Sequence, residues 1–262
     1  MRVTILGCGG STGVPVIGNK WGRCDPGEPR NRRTRASILV DGGGSEGTLL
    51  IDSSPDMRQQ LLAAGVERVD AVLYTHHHAD HVHGIDDLRE ICRLRGRALD
   101  AWGMASHLDE IRQRFGYAFA PLPEGQPIYR PVLNARIIAA DATFTAAGMT
   151  VRAFAQDHGY CTTLGFRIGN FAYSTDVVRL DEAAFATLDG VRVWVVDCVR
   201  DGPPHPVHAH LDLTLEWIAR VRPRRAILTH MGNQLDYRTL LDRLPPGVEP
   251  GYDGLTVDIS DE

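Results

Sequence analysis

The segment Ala71-Val72-Leu73-Tyr74-Thr75-His76-His77-His78-Ala79-Asp80-His81 decides how this chain is read. Its first four residues are apolar, as in a short buried strand. Five metal-capable side chains then fill the six positions from His76 to His81, just past the strand end. Loops in that place are where α/β folds put their chemistry. The spacing is His-x-His-x-Asp-His. Side chains two apart share a face on extended backbone, so His76 and His78 point the same way. Asp80 and His81 come after the chain turns and reach a second point. The stretch therefore reads as a feed for two metals. A histidine-rich surface loop is the bland alternative, and the test between them is whether partner ligands recur downstream.

They recur, each after a predicted strand. His158 follows the strand Met149–Ala155, Asp176 follows Asn170–Ser174, and His230 follows Ala226-Ile227-Leu228-Thr229. His76, His78 and His158 supply three nitrogens to one metal. Asp80, His81 and His230 supply an oxygen and two nitrogens to another, and Asp176 can bridge both. With a bridging hydroxide each metal becomes about five-coordinate, the open arrangement of hydrolytic sites. The donors are all nitrogen and oxygen, which suits two divalent ions such as zinc or manganese, with iron a third option.

The 262 residues are 43% hydrophobic and 23% charged, ordinary values for a globular protein, and they are expected to form one domain over 1–262. Net charge is −5, without the basic field of most nucleic-acid binders. Neither a membrane-spanning run nor a signal peptide is expected, so a cytoplasmic location is the default. Five scattered cysteines without a Cys-x-x-Cys pair argue against a disulfide framework. Further elements are expected as helices at 55–64, 86–95, 106–115, 212–221 and 236–244, and strands at 2–6, 36–40, 49–52, 99–102, 135–139, 164–168, 193–197 and 255–258. Two strand-rich halves with helices outside predict an αββα sandwich. Gly7–Pro15 is a glycine-rich turn that could approach an anion, but it is neither a P-loop nor a full dinucleotide fingerprint. Arg30, Arg32, Arg33 and Arg35 read either as a solvated face or as a rim that attracts an anionic substrate. The segment 96–136 is the least readable and is of the kind that shapes substrate access.

His76-x-His78-x-Asp80-His81, then His158, Asp176 and His230 in that order, resembles the metallo-β-lactamase-fold hydrolase superfamily over nearly the whole chain. Within it the chain is most similar to the branch containing the phosphoribosyl cyclic phosphate phosphodiesterase. Gly7-x-Gly9-Gly10-x-x-Gly13-Val14-Pro15, Thr75 to Gly84, Val196-Asp197-Cys198, His210-x-Asp212-Leu213 and Leu228-Thr229-His230-Met231 carry that likeness. The branch has a further structural zinc held by cysteines near the first loop and a histidine after the last ligand. Here only Cys24 remains, with Asn233 near the histidine position, so that zinc is expected to be absent.

The resemblance implies hydrolysis of a small, cyclic phosphodiester of a ribose or nucleotide, through a metal-bridging hydroxide and with Asp80 in the catalytic set. It also makes His210, at a helix start, the candidate donor of a proton to the leaving oxygen. His205 and His208 lie close by and are weaker contenders for that role, read first as loop residues. His77 and His83 are not expected to be ligands, with His83 at the pocket edge. A homodimer is implied by the family alone. Competing readings are a tRNA 3′-processing nuclease, which the negative charge opposes, a thioester or lactone hydrolase, and a non-catalytic metal-binding scaffold.

Overall fold

The computed structural model describes residues 1–260. Alternation of apolar residues builds the first sheet. In β1 (Arg2–Gly7), β2 (Ser37–Asp41), β3 (Thr48–Ile51) and β4 (Ala71–Leu73), the residues Val3, Ile5, Ile38, Val40, Leu49, Ile51, Ala71 and Leu73 enter one core. Their neighbours Leu6, Leu39, Leu50 and Val72 point into a second core on the opposite face. The period-two side-chain rule makes each strand hydrophobic on both sides, which requires a layer on both faces.

On one side that layer is helical. α1 (Met57–Ala63), α3 (Leu88–Arg95) and α4 (Ala105–Phe119) bring Met57, Leu61, Leu88, Ile91, Leu108 and Ile111 to the second core. α2 (Ala79–Val82) is a single turn inside the histidine motif. On the other side lies a second sheet. It is built from β7 (Thr143–Ala146), β8 (Met149–Asp157), β9 (Thr162–Ile168), β10 (Phe171–Ser174), β11 (Val193–Asp197), β12 (Arg225–Thr229) and β13 (Val248–Pro250). Its outer face carries α5 (Glu182–Leu188), α6 (Leu211–Val221) and α7 (Tyr237–Arg243).

β5 (Leu99–Gly103), β6 (Leu133–Ile137) and β14 (Thr256–Asp258) complete the first sheet, in the order β14-β1-β2-β3-β4-β5-β6. The second runs β13-β12-β11-β10-β9-β8-β7. Each is antiparallel at one end and parallel at the other: β3, β4, β5 and β6 are parallel in the first, and β10, β11, β12 and β13 in the second. The two seven-stranded sheets and their outer helices form the expected αββα sandwich.

Several elements differ from the sequence expectation. The helix read over 86–95 is a 3₁₀ turn at Ile85–Asp87 followed by α3. The expected strand at 135–139 is shifted to 133–137, where Leu133 is buried and Ile137 exposed. α4 runs four residues past Phe115, whose φ of −125° marks a kink. β7, β13 and α5 are extra. β7 and β13 are edge strands only three or four residues long, too short for a periodic signal.

The arginine run is split: Arg30 and Arg32 are exposed, Arg35 is half-buried, and Arg33 lies inside. Arg33 is buried, donating to Gly232 O and Asn31 Oδ1 and lying 3.9 Å from Cys24 Sγ. Arg30 stacks over Tyr237 and Tyr252, Arg32 over Trp21, and Arg35 pairs with Asp56 at 3.0 Å. The run sews the N-terminal loop to the segment after His230.

Asp253, in the turn before β14, accepts from Cys8 N, Thr34 N and Thr34 Oγ1 and so ties β1 to both flanking segments. Burial pushes its pKa up to about 6, against the pull of those donors toward ionisation. An acid whose pKa is higher folded than unfolded keeps its proton longer in the folded state. Its contribution to stability is therefore full below about pH 4 and is lost as pH rises through about 6, on the order of 2–3 kcal/mol in all. Urea titrations of wild type and Asp253→Asn between pH 4 and 7 should differ by that slope. Parallel pH profiles for the two proteins would contradict it.

Candidate metal centre

The candidate ligands sit on loops at one edge of the sandwich, three of the four loops leaving strands of the parallel segments and the fourth leaving antiparallel β8. β4 delivers the histidine motif, β8 His158, β10 Asp176 and β12 His230. Asp176 and His230 have φ of 54° and 56°, and Asp52, which follows β3, has 63°. Left-handed backbone is uncommon away from glycine, though Asp and His tolerate it better than most, and such residues gather at functional sites. Each turns the chain sharply at a strand end. Gly84 closes the motif where a Cβ would lie 2.0 Å from Ser54 O, so only glycine lets the two loops touch.

The seven predicted ligands converge in two pockets that share Asp176. The donor atoms of His76, His78, His158 and Asp176 lie within 4.8 Å of one another, as do those of Asp80, His81, Asp176 and His230. Asp176 divides its oxygens between them. Oδ1 is 3.9 Å from His76 Nε2 and 3.7 Å from His158 Nε2, whereas Oδ2 is 3.1 Å from His81 Nε2 and 3.5 Å from His230 Nε2. Asp80 Oδ2 faces His81 Nε2 at 3.4 Å and His230 Nε2 at 3.5 Å.

The ring nitrogens on the far side are held by the protein. His158 Nδ1 donates to Val207 O at 2.7 Å, and His81 Nδ1 donates to Asp52 Oδ2 at 2.7 Å. Thr75 Oγ1 donates to Asp52 Oδ2 at 2.8 Å, so His76 Nδ1 at 3.0 Å must donate to Thr75. These acceptors leave the Nε2 lone pairs aimed inward, the tautomer a metal ligand needs. His76 Nε2 and His81 Nε2 are buried and have no hydrogen-bond partner. Buried polar atoms are rarely orphaned, and a divalent cation in each pocket would satisfy both. The residues fit a two-metal group.

Electrostatics point the same way. Burial and neighbouring histidines hold His76 well below the usual range, and burial with His158 holds His78 at about 4. Burial opposes charge on His81 and His230 too, but the Asp176, Asp80 and Asp52 carboxylates raise His81 well above normal, and Asp176, Asp80 and Asp197 bring His230 to about 9. Burial likewise opposes ionisation of Asp176 and Asp80, and His230 and His81 reverse it, lowering both carboxylates. The pocket around Asp80, His81 and His230 is a concentration of negative charge that asks for cations.

Three further groups complete this arrangement, of which the sequence offers His208 only as a weaker contender behind His210 and gives Asp52 and Asp197 no role. Asp52 is fully buried and orients His81 directly and His76 through Thr75. Asp197, also fully buried, accepts from Val177 N and Ala209 N and faces His208 Nδ1 at 3.3 Å and His230 Nδ1 at 3.6 Å. Both acids end apolar strands, Leu49-Leu50-Ile51-Asp52 and Trp194-Val195-Val196-Asp197, a signal visible in the sequence. His208 is the third. It is buried, its ring 4.8 Å from that of His230 and 4.7 Å from that of His158. His210 instead occupies the N-cap position of α6 without a side-chain cap bond, its Nδ1 buried and without a hydrogen-bond partner, and among the described residues no ring contact joins it to the cluster.

The remaining histidines stand at the edge. His83 is exposed against Phe115. His77 bonds His107 at 2.8 Å, His107 bonds Thr162 O, and Arg114 donates to His77 O, so α4 braces the motif loop from outside. Among the described residues no helix is long and apolar enough to cross a membrane.

The chain is 35% identical, over its whole length, to an octanoyltransferase of Porphyromonas gingivalis, of which it covers 52%. It is 30% identical to a ribonuclease Z of Bradyrhizobium over 53% of this chain and 45% of that one. The chain thus spans about half the length of the curated relatives it matches. Among solved structures, a diphosphatase from the PhnP family superposes with a TM-score of 0.87 at 29% identity, covering 99% of this chain and 98% of the other. Zinc-bound PqqB of Methylobacterium extorquens shares the fold, with a TM-score of 0.77 at 22% identity over 99% and 100% of the two chains. Residues 48–231 match the model of the beta-lactamase superfamily domain, and the chain belongs to that family of metallo-β-lactamase-fold proteins.

Proposed function

We propose that the chain hydrolyses a small phosphodiester, a cyclic phosphate of a ribose or nucleotide being the substrate class. One observation carries the reading: Asp176 splits its two oxygens between two histidine-rich pockets. The likeness to a PhnP-family diphosphatase supports phosphorus as the reacting centre. When bound, two divalent ions, zinc or manganese, would activate water and neutralise charge on the phosphoryl oxygens. His76, His78 and His158 would hold one, Asp80, His81 and His230 the other, with Asp176 between them.

The chain's own work is orientation and proton supply. Asp52 fixes one ligand of each pocket through His81 and Thr75. Asp197 orients His208 through Nδ1, and nothing among the described residues bonds to its Nε2, leaving that nitrogen to deliver a proton to the departing alkoxide. The placement favours His208 over His210 for this role, because only His208 packs against the ligand rings.

The test pairs bis-p-nitrophenyl phosphate and a ribose cyclic phosphate with a thioester and a lactone. Phosphodiester cleavage should require metal. His208→Ala should lower kcat by roughly 10²–10⁴-fold with metal retained, and His210→Ala should change it by less than about tenfold. The reverse order would return the proton to His210. Thioester or lactone turnover without phosphodiester cleavage would overturn the assignment.

A further inference from the structure

We propose that Tyr160 is the stacking platform for the planar base of a nucleotide substrate, which places the phosphorus at the metal centre and the base beside the loop after β8. The inference rests on the phosphodiester reading and narrows its substrate class to base-bearing phosphates.

Tyr160 is 73% exposed, unusual for a large ring held so close to a buried centre. Its centroid is 6.0 Å from that of His78 and 5.6 Å from that of His158, with interplanar angles of 47° and 52°. Neither ring therefore lies flat on it, and a face of the phenol stays open within one ring's reach of two candidate ligands. Scattered exposed aromatics are common on protein surfaces; this one stands directly at the pocket that would hold the reacting phosphate.

The loop that carries it is fixed. His158 N donates to Cys161 O, Tyr160 N to His158 O, and Gly159 N to Asp157 Oδ1. Gly159 has φ of +85°, and a Cβ there would lie 2.6 Å from Val207 Cγ1, so the turn is pressed against Pro206 and Val207. That second loop carries His205, whose ring sits 5.0 Å from that of His208. Two aromatic side chains on interlocked loops thus flank the His158 side of the centre. Beside Tyr160 lies a surface depression lined by Asp157, Arg179 and Asp181, in which Arg179 pairs with Asp157 and Asp181 accepts from Ala184 N. Base–aromatic stacking tolerates any base because each has a π-face, so purines and pyrimidines should both be accepted, with purines favoured by area.

The test measures binding, by calorimetry on metal-loaded protein, of two probes that differ only in the base: AMP and ribose 5-phosphate. Wild type should bind AMP about tenfold more tightly. Tyr160→Ala should weaken AMP by roughly 5- to 100-fold, leave ribose 5-phosphate within about twofold, and remove the preference. Tyr160→Phe, which keeps the ring, should retain AMP within about threefold. Equal affinity for the two probes in wild type, no binding of either, or a preference that survives Tyr160→Ala would overturn the proposal. AMP binding through Tyr160 in a protein that cleaves no phosphodiester would instead leave the platform standing and overturn the phosphodiesterase reading.

Discussion

Asp176→Ala should empty the centre and reduce phosphodiester turnover by on the order of 10³-fold or more, about 4 kcal/mol of transition-state stabilisation. The reason is geometric. Asp176 is the one side chain that belongs to both pockets, and its loss takes a donor from each at once. It also removes the largest negative charge that supports both His81 and His230. Metal analysis should show both ions lost, whereas His78→Ala, which touches one pocket only, should lose the first and weaken the second less. Retention of two metals in Asp176→Ala would contradict the bridging role.

The second large effect should come from a residue that touches neither metal. In Asp52→Ala, Thr75 N, Thr75 Oγ1 and His81 Nδ1 lose their acceptor inside a fully buried site. Unsatisfied buried groups cost about 1–3 kcal/mol each, so the fold should lose roughly 3–5 kcal/mol after partial relaxation. Because Asp52 orients His81 directly and His76 through Thr75, metal affinity should fall about 10–100-fold in both pockets. Denaturant titration and chelator competition read the two effects separately. A variant of wild-type stability that binds metal normally would show that these histidines need no such support.

Most of the candidate ligand set could be read from the sequence because it is local. The His-x-His-x-Asp-His motif sits on one loop, and His158, Asp176 and His230 each follow a short strand rich in apolar residues. The groups missed are those whose roles depend on three-dimensional neighbours. Asp52 and Asp197 end strands in the same way as the ligands do, yet nothing in their own segments shows which histidine each faces. His208 and His210 stand three residues and one residue before the start of α6, and spacing alone does not say which ring turns inward. The arginine run misleads for a related reason: Arg33 looks exposed by composition, but Gly232 and Asn31 receive its guanidinium in the interior. In the fold, the central strands followed from short apolar runs. The short edge strands β7 and β13 did not, because too few residues carry the pattern.

The central claim is that two metals, shared through Asp176, act on a phosphodiester. The most direct measurement is a zinc titration of metal-free protein in which stoichiometry and hydrolysis of a ribose cyclic phosphate are followed in the same samples. The account predicts about two zinc ions per chain, with activity appearing only as the second is bound. Full activity at one ion per chain, or two bound ions with no phosphodiester cleavage, would contradict it.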